Sequence, residues 1–151
     1  MIVRVNYFRI VCFVLIICII TGCGKKVSED ELIYDMSCSY DTSYENGTSV
    51  HMEFNLYQKS GKVMQDGLVV WSSSKGDLVV PSDGSEDEYL NMWYTTVREL
   101  FPVQGVSVQT NNYLKAGKVY LSETISFENY EYNSVDSLVE HYEDLSFTCQ
   151  K

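Results

Sequence analysis

Basic residues are scarce in this chain: 11 lysines and arginines stand against 21 aspartates and glutamates. That balance argues against nucleic acid as a partner, because phosphate binding draws on clustered Lys and Arg. It also disfavours flat docking on anionic lipid. Histidine is rarer still, with only His51 and His141, far apart in sequence. The cysteines contain no C-x-x-C spacing of the kind that holds zinc. The acidic run Glu86-Asp87-Glu88 lacks the alternating oxygen ligands of a calcium loop. Ser72-Ser73-Ser74 offers hydroxyls without a G-x-S-x-G elbow. No metal and no cofactor is expected from these patterns. Repeats and low-complexity stretches are absent as well.

Long apolar runs are also missing, with one short exception. Ile10–Ile20 is wholly apolar and follows a start that carries Arg4 and Arg9 but no acid. At about 1.5 Å rise per residue this run reaches only ~16 Å as a helix, against the ~30 Å of a bilayer core. It suits the apolar region of a secretory signal. What ends it is Ile20-Thr21-Gly22-Cys23, which resembles the lipobox of bacterial lipoproteins. The resemblance implies a diacylglyceryl group on the Cys23 thiol, cleavage before Cys23, and fatty acyl chains such as palmitate holding the new amino terminus. Two chains suffice for stable anchoring where one is marginal. The competing reading is an uncleaved signal anchor whose Arg-containing start stays inside the cell. The basic start, the short core and the Gly-Cys pair favour the lipobox. The expected organisation is a removed signal peptide at 1–22, a lipidated tether at 23–31 and a single domain at 32–151. The expected location is the extracytoplasmic side of a cell membrane.

Loss of Arg4 and Arg9 with the leader leaves nine basic residues against 21 acidic ones, a net charge of −12. The remaining length is that of one domain, enough to bury a modest core. Its apolar and aromatic content argues against disorder. Besides Cys23, the cysteines left are Cys38 and Cys149, near the two ends of the folded part. Outside the cytoplasm such a pair reads as a disulfide; two buried free thiols are the alternative.

From Leu32 onward the pattern alternates. Tyr34, Met36, Cys38 and Tyr40 share one side of an expected strand, with Asp35, Ser37, Ser39 and Asp41 on the other. Asn46-Gly47 signals a hairpin turn in which both residues tolerate positive φ. Val50, Met52, Phe54 and Leu56 then alternate with His51, Glu53, Asn55 and Tyr57. After a turn at Lys59–Lys62, Val63–Ser74 reads as a third strand, with Met64, Leu68 and Val70 as its apolar positions and a bulge near Gly67. Leu78–Val80 reads as a brief edge piece. Ser85 and Glu88 form a capping box ahead of a helix carrying Leu90, Trp93, Tyr94, Val97, Leu100 and Phe101, stopped by Pro102. Val103–Asn111 reads as a strand and Tyr113–Gly117 as a turn. Val119, Leu121, Glu123, Ile125 and Phe127 share a further strand face. Ser134 caps a second helix with Val135, Leu138, Val139, Tyr142 and Leu145 on one side, and Ser146–Cys149 ends extended. The expected class is α+β: an antiparallel sheet made mainly of hairpins, with two helices on one face. A Cys38–Cys149 bridge would staple the end of the chain to the first strand.

Taken together, Gly22-Cys23, the polar tether, Met36-Ser37-Cys38-Ser39 opening a strand, the Asn-Gly hairpin and the closing Phe147-Thr148-Cys149 resemble small bacterial lipoproteins of the YehR-like type. The likeness spans most of Cys23–Lys151 and lies in layout. It implies a membrane-tethered extracytoplasmic domain and supplies no catalytic residue.

Chemistry is sparse. His51 falls on a polar strand face near Glu53 and reads as a solvated histidine; His141 reads as part of a surface helix. Aromatics are the stronger lead. Tyr113, Tyr120, Tyr130 and Tyr132 crowd one part of the sequence, and Tyr57 and Trp71 occupy strand positions. Such faces stack on sugars or hold a partner protein, or else simply fill a sheet. Two function classes follow: a non-catalytic module that binds a protein or glycan in the envelope, and, as the alternative, a cell-envelope enzyme such as a hydrolase.

Overall fold

The computed structural model describes residues 34–101, 104–128 and 131–151. These residues belong to one unit, Ile33–Lys151. Cys23, the leader and the tether lie outside them, as do Pro102 and Tyr130. Alternating sequence becomes strand at Met36–Ser43 (β1) and Thr48–Lys59 (β2). Lys62–Ser73 forms β3. Helix α1 spans Glu86–Leu100, β4 Val106–Lys115, β5 Lys118–Ser126, helix α2 Val135–Asp144 and β6 Thr148–Gln150. The six strands form one sheet in the order β4-β5-β3-β2-β1-β6, with every neighbouring pair antiparallel. A six-stranded antiparallel sheet with two helices is an α+β fold.

Local chemistry explains the element ends. In α1 the Ser85 hydroxyl accepts from Glu88 N–H while the Glu88 carboxylate accepts from Ser85 N–H, and Glu86, Asp87 and Glu88 crowd the positive end of the helix dipole. Ser134 and Ser137 exchange the same two bonds at the start of α2. Ser60-Gly61 and Ala116-Gly117 join paired strands with both residues at positive φ, the backbone of a type I′ turn, for which glycine is well suited.

Register decides the core. Cys38 pairs with Phe54, Met52 with Val69, Val69 with Leu121, Val50 with Trp71 and Trp71 with Val119. These side chains join Leu90 and Val97 of α1, Val135, Leu138 and Tyr142 of α2, and Phe147 in one buried cluster. Burial of this kind stabilises by about 25 cal/mol per Å² of apolar surface. Phe147 touches Phe54, Tyr142, Tyr40 and Phe101, so the last turn of chain before β6 is clamped by four rings. Cys38 and Cys149 face each other in the β1–β6 register and are joined by a disulfide.

Several local expectations need correction. The core side of β3 is Val63, Gln65, Gly67, Val69 and Trp71; Leu68 and Val70 face the other way, as does Met64, which is buried all the same. Both sides of β3 are apolar in sequence, so alternation alone picks neither; pairing with β2 does. No register break occurs at Gly67; the irregularity lies in β4, between Ser107 and Gln109. Gly67 instead leaves room for the Phe54 ring, which would sit 3.1 Å from an added Cβ. Leu78–Val80 is not a strand; a single bond from Leu78 N–H to Gly117 O holds it. Tyr113 and Leu114 belong to β4, and the turn is Ala116-Gly117 alone. At the β1–β2 connection only Gly47 has positive φ, and the Asn46 side chain accepts from Thr48 N–H. Among the described residues no helix is long and apolar enough to cross a membrane.

Candidate functional site

Strand positions facing away from the core carry the polar set that the sequence pattern placed there. Neighbouring strands bring Asp41, Ser43, Ser49, His51, Val70, Ser72, Lys118 and Tyr120 around an open concavity of about 730 Å³. Its members come together through register: Asp41 pairs with His51, His51 with Val70, and Val70 with Tyr120. His51 Nδ1 lies 2.8 Å from Asp41 Oδ1. A carboxylate at that nitrogen orients the ring and leaves Nε2 turned away from Asp41. His51 therefore has the partner that the sequence did not reveal. The pair is nonetheless wet, with side-chain exposures of 45% and 74%, and the neighbouring hydroxyls of Ser43 and Ser49 bond each other at 2.8 Å. Solvent competes with every bond at such a surface, and so exposed a contact contributes little.

The aromatic candidates separate. Tyr113 and Tyr120 pair across β4 and β5 with ring centroids 5.0 Å apart and planes 8° from parallel, and Tyr113 is exposed. Tyr57 lies on the same side of the sheet but is buried beneath Tyr34. Its hydroxyl and that of Tyr34 donate to Asp66, which also accepts from Thr124 Oγ1 at 2.7 Å. Burial first, then the Asp66 charge, pushes the Tyr57 phenol up to about 12. Trp71 is on the core side and 2% exposed, so neither Tyr57 nor Trp71 presents an open ring. Tyr132 packs edge-on to Phe127, and its hydroxyl lies 2.9 Å from His141 Nδ1. His141 is accordingly half-buried rather than a surface histidine. Cys23 and Tyr130 lie outside the described residues.

A second constellation lies on the core side. Glu123 is only 12% exposed; it accepts from the Tyr94 hydroxyl at 2.8 Å and meets Arg98 Nη1 at 3.5 Å. Burial and this carboxylate push the Tyr94 phenol up to about 12. Beside it the fully buried Tyr142 hydroxyl donates to Gln65 Oε1, and burial pushes that phenol up as well. A narrow cleft of about 40 Å³ separates the two groups, room for ordered water and little more. The clue to this network was in the sequence: Glu123 stands among Val119, Leu121, Ile125 and Phe127, and an acid on a buried face requires a partner.

A third feature is aromatic. Tyr44 of the β1–β2 connection stacks on Trp71 with centroids 6.1 Å apart, and Trp71 meets Trp93 of α1 at 4.8 Å. Together with Asn46, Thr96 and Leu100 they line a groove of about 280 Å³. Tyr44 carried no signal in sequence, since its position depends on where α1 docks. Among the described residues no group of three or more His, Cys, Asp or Glu side chains could hold a metal ion. No protein-family model matches the chain, and neither the curated proteins nor the solved structures contain a match to it.

Proposed function

We propose that this chain is a membrane-anchored lipoprotein of the cell envelope whose folded domain is a non-catalytic binding module. The leader 1–22 is removed, Cys23 carries the acyl chains, and residues 23–31 tether the domain on the extracytoplasmic side, as the YehR-like layout implies. The domain is a sheet built mainly of hairpins with both helices packed on one face, which leaves the other face free for a protein or glycan partner. Support for that arrangement is the single buried cluster shared by α1, α2 and one set of strand residues.

The observation that carries the binding role is the open concavity bordered by Tyr120, with Tyr113 stacked behind it and Ser, His, Asp and Lys groups around it. Rings of this kind give apolar contact area at low entropic cost, and the surrounding polar groups give orientation. Tethering raises the local concentration of such a module near the membrane. Two measurements test the proposal. Mass spectrometry of the protein from its native membrane is expected to find a diacylated amino-terminal Cys23; a bare Cys23 still joined to Gly22 overturns the anchoring. Capture from envelope extract is expected to lose its partner on Tyr120→Ala; unchanged capture overturns the face.

The enzyme alternative rests on one contact, His51 Nδ1 to Asp41 Oδ1 at 2.8 Å, which leaves Nε2 free to take a proton. Its wide exposure and the mutual pairing of Ser43 and Ser49 count against it. Hydrolysis of an envelope substrate that His51→Ala abolishes would replace the binding role.

A further inference from the structure

The sheet has two borders, and they differ. β6 closes one with three residues; β4 forms the other with ten. β4 pairs with β5, and among the described residues no backbone group outside β5 bonds to Val106–Lys115. Its side chains are exposed from Val106 through Asn111 and again at Tyr113 and Lys115. Val106 and Val108 are 53% and 61% exposed. An open row of N–H and C=O groups is a template for another strand, and sheets ordinarily blunt it with charge, proline or a very short border strand. β4 has an irregularity between Ser107 and Gln109, but no proline and no charge before Lys115. β1, β2, β3 and β5 carry Asp41, Glu53, Asp66 and Glu123; β4 carries no acid, in a chain that has 21.

Charge selects the occupant of this border. The chain has a formal net charge of −10, so two copies repel where acids face each other, and β4 brings no acid to the contact. A basic foreign strand finds no acid on β4 to meet, and an acidic one is repelled by the chain as a whole. Self-pairing also fits the side chains, because opposing residues of an antiparallel pair share a face. With the two-fold at Asn111, Tyr113 meets Gln109 of the second copy, Asn112 meets Thr110, and Asn111 meets its twin. With the two-fold at Asn112, Asn111 meets Tyr113 and Thr110 meets Leu114. Neither register opposes two charges, and the two Lys115 side chains fall at opposite ends of the pair. We infer that β4 pairs antiparallel with β4 of a second copy, joining two six-stranded sheets into one continuous sheet. Such an isologous contact closes on itself as a dimer. Asn111 lines no part of the concavity at Tyr120, so this interface goes beyond the binding role proposed above and stands without it.

The full chain, in enough detergent to keep its micelles singly occupied, is followed by sedimentation over a wide concentration range. A reversible dimer whose share rises with concentration is expected; a monomer throughout overturns the pairing. Asn111→Asp keeps the size of an exposed side chain and places two like charges at or beside the two-fold. It is expected to weaken the dimer about tenfold at low ionic strength and to recover in about 1 M salt, where the Debye length is ~3 Å. An Asn111→Asp protein with a native circular dichroism spectrum and an undiminished dimer overturns the interface. Crosslinking reads the position independently, should that variant fail to fold. Residue twins at the two-fold lie about 4.5–5.5 Å apart at Cα, within disulfide reach. Asn111→Cys or Asn112→Cys, made separately, is therefore expected to yield a covalent dimer on mild oxidation, absent from the unaltered chain and from Thr95→Cys, exposed on α1. No covalent dimer from either β4 variant, or as much from Thr95→Cys, overturns the pairing.

Discussion

The Tyr142 hydroxyl crosses the core from α2 to donate its hydrogen to Gln65 Oε1 on β3, and both side chains are buried. This bond ties a helix to the centre of the sheet. Tyr142→Phe is expected to destabilise by about 1–3 kcal/mol, the cost of leaving a buried acceptor unmet. Gln65→Leu combined with Tyr142→Phe is expected to recover much of that loss, because both polar partners then leave together. Urea unfolding of the two variants measures the difference; equal losses would show that packing, not the bond, carries the effect.

The bridge between Cys38 and Cys149 closes a separation of 111 residues. On the chain-entropy model a loop of that size is worth about 4–5 kcal/mol. Cys38→Ala with Cys149→Ala is expected to lower the urea midpoint accordingly, and reductant is expected to do the same to the native protein. An unchanged midpoint would mean that the four rings around Phe147 hold β6 by themselves.

Gly67 is a matter of space, not of backbone angle. A Cβ there would lie 3.1 Å from Phe54 Cδ1, and Phe54 is already held between Tyr142 and Phe147, with centroids at 4.9 and 5.3 Å. Gly67→Ala is expected to cost about 1–3 kcal/mol by overpacking. Thermal unfolding reads the loss, and Gly61→Ala is the wrong comparison because positive φ adds strain there.

Stability is expected to fall in alkali. Tyr57 and Tyr94 ionise near 10 when unfolded and at about 12 when folded, through burial and the carboxylates of Asp66 and Glu123. Each raised phenol contributes stability that is complete below pH 10 and is lost as pH rises from about 10 through 12. Tyr94→Phe is expected to flatten part of that decline, and denaturant unfolding across the window measures it. A decline of the same steepness in Tyr57→Phe and Tyr94→Phe would assign it to other groups.

How far the fold was legible depends on the range of each signal. The capping boxes at Ser85 and Ser134 span three residues, so their bonds form in the helix the sequence announces. β1 and β2 alternate cleanly because one side of each is polar, and register merely confirms the sides. β3 is apolar on both sides, and its core positions emerge only when Val69 and Trp71 pair with Met52 and Val50. Among the candidate site residues, Tyr113 and Tyr120 stood out in sequence as members of one tyrosine-rich stretch, but their stacking across β4 and β5 came only with the strand register, which takes Tyr113 out of the expected turn. Asp41 was not visible as the partner of His51, because ten residues and a four-residue connection separate them.

Residue order alone set the period of each segment, the helix starts, the acidic balance and the cysteine pair, because all of these are properties of neighbours along the chain or of composition. Only the folded arrangement brought Tyr44, Trp71 and Trp93 to one groove, gave Glu123 to Tyr94 and Arg98, and buried Tyr57 beneath Tyr34. Those contacts join segments far apart in sequence, and their geometry follows from cross-strand register and helix docking, which no local pattern encodes.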